Sequence, residues 1–330
     1  MSHSTEHNSR PEQSATLFIA ASETDSNLYY ATRFIAPDPF IYLEVKGERL
    51  MVMSDLEVDR ARNQATVDRV LSYSELERRA KSQGVKDPGT IDVIHLVLQD
   101  AGLKDILVPP TFPFLHASRL QEMGYRLRTK RDPFYEQRVM KSDDEVRHIE
   151  AAQRATETAV AAAHQHLRRA EIRDNVLWLD GEILTSERVK KLINVALMEC
   201  DCVAQHTIVA GGEQACDPHD EGSGPLPAHR SIIFDVFPRS AGTRYFADMS
   251  RTVVRGTPSP ELTRLYHAVK DAQEEAITKI RDGADGAAIH QGICDRFEKA
   301  GYKTGLVNGR MQGYFHGTGH GVGLDIHEAP

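Results

Sequence analysis

The chain has 330 residues, a net charge of −8 and 40% hydrophobic residues, which together favour a globular protein of two domains with real cores. An acidic surface repels nucleic-acid backbones and anionic membranes, so we expect neither as a partner. No apolar run approaches the roughly 20 residues that are needed to cross a bilayer.

The first 15 residues, which include "MSHSTEHNSRPEQS", lack the apolar stretch of a signal peptide. We interpret them as a mobile tail and expect a cytoplasmic protein. The chain has four cysteines, which are too few and too irregularly spaced for a disulfide framework. Cys200, Cys202 and His206 could form a metal cluster, but buried structural cysteine is the interpretation that we favour.

The first domain, residues 1–140, begins with short apolar stretches that alternate with helical ones. "TLFIAA", "FIYLEV" and "ERLMVM" are typical of strands, and "DLEVDRARNQ" is typical of a helix. A proline-rich stretch then leads into a helical pattern that Gly124 ends. These alternating patterns predict an α/β domain.

The second domain, residues 141–330, opens with a long helix. Ser142 and Glu145 have the spacing of a capping box, in which each side chain binds the other residue's backbone N–H. Apolar residues at steps of three and four then predict one buried stripe. The stripe consists of Val146, Ile149, Thr156, Val160, Ala163 and Leu167.

Two later helices have clear end signals in the sequence. One begins with Ser259 as its N-cap and Pro260 in its first turn, and we expect Gly283 to terminate it. The other, "AAIHQGICDRFEKAG", ends at Gly301.

The stretch "RSIIFDVFPRSAGTRYFADMSRTVV" predicts a β-hairpin whose turn is marked by Pro238 and Gly242. If the turn is centred between Ala241 and Gly242, Asp235 lies directly opposite Asp248. Their Cβ atoms would then be roughly 5 Å apart on one face.

Two carboxylates among apolar neighbours repel each other unless something neutralises them. One of them could be protonated, because like charges that share a site raise one pKa strongly. A divalent cation bound by both would also remove the repulsion. A β-bulge that turns one aspartate to solvent is the third possibility. The histidines farther along the chain favour the cation.

Histidines and glycines are concentrated in the last residues, "HGTGHGVGLDIHEAP". Glycine lets a backbone come close to another group, and imidazole is both a common metal ligand and a proton carrier near neutral pH. His316, His320 and His327 are therefore candidate site residues. His219 is a fourth candidate, in a long polar loop that precedes the hairpin.

These segments together resemble the pita-bread metallopeptidases, which include methionine aminopeptidase, Xaa-Pro aminopeptidase, prolidase and creatinase. The resemblance is carried by "KSDDEVRHIEAA", "FDVFP", "YFADMSRTVVRG" and "HGTGHGVGLDIHE". The extra N-terminal domain is more similar to Xaa-Pro aminopeptidases and prolidases. The resemblance implies an α/β creatinase-like N-terminal domain, followed by an α+β pita-bread catalytic domain.

The resemblance also implies a ligand set and a reaction. It implies that Asp235 binds one divalent ion, that Asp248 bridges two, and that His320 binds the other. The implied reaction is hydrolysis of the bond between an N-terminal residue and a following proline, by a hydroxide that bridges the metals. We expect Mn, with Co or Zn as alternatives.

Three histidines receive roles from the same resemblance. It implies that His219 and His327 hold the substrate and stabilise the tetrahedral intermediate or move protons. It implies that His316 lines the pocket near the substrate's proline. We also expect a homodimer that binds peptides with proline at position two.

The family's two glutamate ligands beyond the "HE" motif are not among these 330 residues. Glu328 matches the residue beside the histidine rather than a ligand position. We therefore expect a catalytic domain truncated at its C-terminus, with three ligands of five and little or no activity.

Other functions remain open on the sequence alone. Xaa-Pro dipeptidase activity is not distinguished from aminopeptidase activity. Metal-free creatinase chemistry is disfavoured because both aspartates are present. A non-catalytic peptide-binding relative is the third alternative.

Overall fold

The computed structural model describes residues 14–329. Nearly all of the predicted mobile tail, 1–15, therefore lies outside the described residues. The chain divides into two compact units, Met1–Glu136 and Gln137–Pro330. Among the helices that the structure describes, none is both long enough and apolar enough to span a membrane.

The first unit is a six-stranded mixed sheet with helices on both faces. Its strands are β1 (Ser14–Ala20), β2 (Phe40–Val45), β3 (Glu48–Met53), β4 (Arg69–Ser72), β5 (Asp105–Val108) and β6 (Arg126–Thr129). Its helices are α1 (Ser26–Thr32), α2 (Val58–Gln64), α3 (Tyr73–Ser82), α4 (Thr90–Ala101) and α5 (Phe114–Glu122). The spatial order of the strands is β4-β3-β2-β1-β5-β6.

Alternation along β1 explains why this sheet is covered on both sides. Leu17 packs into one core with residues of α4, such as Ile94, whereas the next residue, Phe18, packs into the other core with residues of α1, such as Leu28. Successive side chains of a strand point to opposite faces, so a strand with apolar residues on both faces requires two covering layers. The predicted α/β class of this unit is confirmed.

The second unit contains four long helices and several short antiparallel sheets. The helices are α6 (Asp143–Arg169), α7 (Ser186–Met198), α8 (Pro260–Lys279) and α9 (Gly286–Lys299). The strands are β7 (Glu171–Arg173), β8 (Val176–Leu179), β9 (Glu182–Ile183), β10 (Cys202–Val203), β11 (Ile208–Gly211), β12 (Ile232–Val236), β13 (Arg239–Ser240), β14 (Met249–Val253), β15 (Gly305–Val307) and β16 (Arg310–Gln312).

The main core of the second unit lies between the α6–α7 pair and the sheet β11-β12-β14. Ala163 of α6, Ile193 of α7 and Phe234 of β12 are all fully buried in it. One face of the sheet is thus fixed by packing. Residues on alternate positions of β12, including Asp235, belong to the other face.

Helix α6 begins at the predicted capping box: Ser142 N–H donates to the Glu145 carboxylate at 2.9 Å, and Glu145 N–H donates to the Ser142 hydroxyl. The start of the predicted stripe is wrong, because Val146 is exposed and Glu145 is buried. The Tyr245 hydroxyl donates to Glu145 at 2.6 Å, which satisfies that buried carboxylate. The Glu145 side chain therefore both caps helix α6 and binds Tyr245 of the hairpin.

The predicted register of the hairpin is wrong by two residues. Asp235 pairs with Ser250, not with Asp248, and Val236 pairs with Met249. The connection is longer than expected, because Arg244 N–H donates to Ser240 O and Arg244 adopts a positive φ of 69°. A shift of two preserves the face on which a side chain lies, so both aspartates still belong to the same face.

Helices α8 and α9 pack on each other through a small core that includes Ala276 and Phe297. Ser259 caps α8 as predicted, but the helix ends at Lys279, because Ile280 is extended, and Gly283 lies beyond its end. After α9, the chain forms the hairpin β15-β16 and then runs without regular structure to an isolated bridge between Gly321 and Glu328.

Candidate metal centre

The two aspartates lie at adjacent positions of the hairpin. Asp235 is in β12, where the Ser250 hydroxyl donates to its Oδ1 at 2.7 Å, and Asp248 directly precedes β14. Burial and the negative charge of Asp235 raise the pKa of Asp248 to about 6. These two carboxylates are thus close enough to repel each other, as like charges in one site do.

His320 lies beside this pair, with its Nε2 atom 3.3 Å from Asp248 Oδ2. Its Nδ1 atom is 3.0 Å from the Gly321 carbonyl oxygen. A carbonyl can only accept, so Nδ1 carries the proton and, in the neutral ring, Nε2 has a lone pair directed toward the carboxylate. Two acceptors that face each other require a proton or a cation between them.

A histidine that binds a metal through one ring nitrogen usually donates its other ring N–H to a carbonyl or carboxylate, and His320 has this tautomer. The donor chemistry of Asp235, Asp248 and His320 therefore fits a divalent cation. Within residues 14–329, however, no group of three or more His, Cys, Asp or Glu side chains is arranged to hold a metal ion.

Backbone contacts bring the C-terminal segment to the hairpin. Phe246 N–H donates to the Gly323 carbonyl at 2.8 Å, and Gly321 and Glu328 exchange two N–H···O bonds of 3.0 Å. A Cβ at Gly321 would lie 2.8 Å from the Glu328 carbonyl oxygen, so this position requires glycine for close approach.

His327 reaches the same place through this bridge. Its ring lies 4.4 Å from the His320 ring and nearly perpendicular to it, at 86°. The structure thus brings together four of the six candidate residues that the sequence indicated. They are Asp235, Asp248, His320 and His327.

In the part of the chain that the structure describes, the other two candidates form no hydrogen bond, ion pair or ring contact with these four. His316 is exposed, and its ring contacts Tyr314 at 4.7 Å. His219 is exposed in its loop, and its backbone N–H donates to Asp217 at 3.1 Å. The His219 side chain makes no hydrogen bond or ion pair with any residue of the described part of the chain.

A buried ionic cluster behind the bridge was not predicted from the sequence. Arg138 donates to both Glu328 and Asp325, and Lys141 Nζ lies 3.0 Å from Glu328 Oε2. The side chains of Arg138 and Glu328 are only 8% and 7% exposed. Because Glu328 directly follows His327, the cluster fixes the backbone that carries this histidine.

The alternative metal cluster near Cys202 does not form. Cys202 is buried, and the pKa of its thiol is raised, chiefly by burial. His206 lies 2.7 Å from Glu221. The interpretation as a buried structural cysteine agrees with the environment of Cys202, but it is wrong for Cys200, which is exposed.

Solved structures with the same fold include proline peptidases. The Xaa-Pro dipeptidase from Bacillus anthracis superposes with a TM-score of 0.77 at 19% identity, and the match covers 96% of this chain and 79% of that chain. The X-Pro aminopeptidase from Thermotoga maritima has a TM-score of 0.74 at 21% identity, covering 96% and 82%. At such identities the likeness establishes the pita-bread fold alone.

Sequence relatives include a peptidase of Staphylococcus epidermidis that is 31% identical over 167 residues. That match covers 50% of this chain and 44% of the relative, so it spans less than half of the relative's length. A peptidase of Staphylococcus saprophyticus is 25% identical over 288 residues, covering 84% and 74%.

The profile of metallopeptidase family M24 matches residues 147–330, which is more than half of the chain. The resemblance inferred from the motifs is thereby confirmed. The matched region contains both aspartates, the four candidate histidines and most of helix α6. This chain belongs to metallopeptidase family M24, a family of peptidases that use divalent metal ions.

Proposed function

We propose that the protein hydrolyses the peptide bond between an N-terminal residue and a following proline, as an Xaa-Pro aminopeptidase. The observation that carries the proposal is the acceptor pair formed by Asp248 and the Nε2 lone pair of His320, with the charge of Asp235 beside it. Solved proteins of the same fold act on Xaa-Pro peptides according to their names, which supports the substrate class.

We propose that Asp235, Asp248 and His320 would hold the two divalent ions. Carboxylate-rich sites with one histidine suit Mn, and Co or Zn are alternatives. When bound, such ions lower the pKa of water and polarise a substrate carbonyl. The Ser250 hydroxyl keeps the Asp235 carboxylate in place from the neighbouring strand.

Three further histidines act on the peptide in this proposal. His327, packed against His320, is near enough to the metal ligands to donate a proton to the leaving amine. His219, on its exposed loop, would bind the substrate after it enters. His316 would contact the proline ring, and its contact with Tyr314 supplies an apolar neighbour for that purpose.

A homodimer and a cytoplasmic location also belong to the proposal. Light scattering of the purified protein tests the dimer.

A dipeptidase is the closest alternative function, and a non-catalytic peptide-binding protein is a second. The peptide-binding alternative is favoured because, within residues 14–329, no three His, Cys, Asp or Glu side chains are arranged to hold a metal ion. Creatinase-type chemistry without metal gains no support, because both aspartates are present and adjacent.

Hydrolysis by the purified protein, loaded with Mn²⁺, tests these functions. We expect release of the first residue from Xaa-Pro-Yaa tripeptides, and loss of that activity in Asp248→Asn. Cleavage of Xaa-Pro dipeptides alone would indicate the dipeptidase. Binding of Xaa-Pro peptides without any cleavage, and without metal by elemental analysis, would refute the peptidase.

A further inference from the structure

The histidine loop, residues 315–320, has no backbone support. It carries His316 and His320, yet it makes no backbone-to-backbone hydrogen bond with any residue of the range 14–329. Gly317 and Gly319 have no side chains with which to hold it, and glycine loses the most conformational freedom on ordering. Thr318 is the one side chain between the two histidines.

The Thr318 hydroxyl has two partners outside the loop. The Tyr314 hydroxyl donates to Thr318 Oγ1 at 2.8 Å, and Thr318 Oγ1 lies 2.9 Å from His290 Nδ1. Because Oγ1 accepts from Tyr314, its own proton is available for His290 Nδ1. His290 Nε2 then carries the ring proton and faces Cys294 Sγ at 3.6 Å, so each group in the chain has a partner.

Both partners of Thr318 are fixed by packing. His290 belongs to α9, whose Phe297 is buried against α8. The Tyr314 ring lies 5.0 Å from Phe297 and joins the same core. Burial raises the pKa of the Tyr314 phenol, which therefore stays protonated and can donate at neutral pH.

The loop transmits this anchoring to both histidines. The His316 Nδ1–H group donates to the Gly317 carbonyl at 2.8 Å. This carbonyl is part of the peptide bond that joins Gly317 to Thr318. His320 comes two residues after Thr318, and its Nε2 is the atom nearest to Asp248. Thr318 thus holds the backbone between the two histidines, while the Gly321–Glu328 bridge holds only the residue that follows His320.

We infer that Thr318 is a positioning residue, whose hydroxyl, held by Tyr314 and His290, fixes the histidine loop so that His316 and His320 keep their places in the site. The inference rests on the proposed function for the metal-binding role of His320. Thr318 itself contacts neither metal nor substrate.

Three variants test this role in the purified chain. Thr318→Val keeps the shape and removes the hydroxyl, Thr318→Ser keeps the hydroxyl, and Tyr314→Phe removes one of its two partners. Thr158→Val is the matched control, because Thr158 is exposed and its hydroxyl binds only within helix α6. Circular dichroism on heating establishes that each variant is folded.

Two readouts are used. Titration with Mn²⁺ by calorimetry should show about tenfold weaker binding in Thr318→Val, a typical effect of losing support behind a ligand. Histidine-selective ¹⁵N NMR without metal should show that His316 loses its Nδ1–H tautomer in this variant. Thr318→Ser and Thr158→Val should resemble wild type in Mn²⁺ affinity and in the His316 tautomer. In both readouts Tyr314→Phe should lie between wild type and Thr318→Val.

The inference is overturned if Thr318→Val keeps the wild-type His316 tautomer and Mn²⁺ affinity. It is also overturned if Thr318→Ser loses as much Mn²⁺ affinity as Thr318→Val does. Should Thr318→Val fail to fold, Tyr314→Phe and Thr318→Ser decide by the same criteria. If wild type itself binds no Mn²⁺, the proposed metal centre fails, and the NMR spectrum alone decides the role of Thr318.

Discussion

Replacing Arg138 by methionine tests whether the buried ionic cluster stabilises the second unit. Arg138→Met keeps a long side chain and its apolar packing, but it removes the cation that donates to Glu328. The Glu328 side chain is 7% exposed. Removing one partner of a buried ion pair typically costs about 3–5 kcal/mol. Glu328 keeps Lys141 and the Asp325 N–H group, each at 3.0 Å, so we expect the lower end, about 3 kcal/mol.

The measurement is urea unfolding followed by tryptophan fluorescence. Trp178 is the only tryptophan and lies in β8, so its signal follows the second unit. Arg264→Met is the control, because Arg264 forms an exposed pair with Glu261 at 3.1 Å, which is worth less than about 1 kcal/mol. If Arg138→Met shifts the unfolding free energy no more than Arg264→Met does, the reasoning is refuted.

Three further predictions concern the same unit. Burial alone would raise the pKa of Glu328, but its bonds with cations and a backbone N–H outweigh burial and lower that pKa below the usual 4.5. A lowered carboxyl pKa stabilises the fold above the unfolded-state value, and this stability is lost as pH falls through the folded-state value. Urea unfolding curves of wild type and Glu328→Gln should therefore converge as the pH falls below the usual carboxyl pKa of 4.5, and a constant gap would contradict this. Asp248→Asn should raise the unfolding free energy in EDTA by about 1 to 3 kcal/mol at neutral pH, since it removes repulsion from Asp235, while Mn²⁺ binding measured by calorimetry weakens; a less stable variant in EDTA would be evidence against the repulsion. Gly222 and Gly224 both have positive φ, but only at Gly222 would a Cβ overlap a carbonyl of β11, so thermal unfolding should show Gly222→Ala about 1 to 3 kcal/mol less stable than Gly224→Ala, and equal losses would argue against the overlap.

The sequence predicts elements well where local signals determine them. The Ser142 capping box begins α6, Ser259 begins α8, and the apolar strands of the first unit occur where the pattern indicates. Caps and alternation act over a few residues, so one chain is enough to identify them.

The hairpin marks the limit of this approach. Proline and glycine indicate that the chain turns, but the register depends on the conformation of the connecting residues, here with Arg244 at positive φ. The error of two residues left the face of Asp235 and Asp248 unchanged, because the side-chain period of a strand is two. An error of one would have separated the carboxylates.

The ionic cluster could not be predicted from the sequence. Arg138 and Glu328 are 190 positions apart, and nothing local to either residue indicates a buried partner. The same holds for His290 and Thr318, which are 28 positions apart. Such pairs depend on how helices and loops pack, which propensity and periodicity do not describe.

The position of the ionic cluster in the chain also determines how the second unit can be excised. The family match begins at residue 147, inside α6, whereas Arg138, Lys141 and the Ser142 cap all precede it. Cloning from residue 147 would discard the first turn of the longest helix together with both cations that neutralise Glu328. A fragment meant to fold independently should instead begin at or before Gln137, even though the family similarity starts ten residues later.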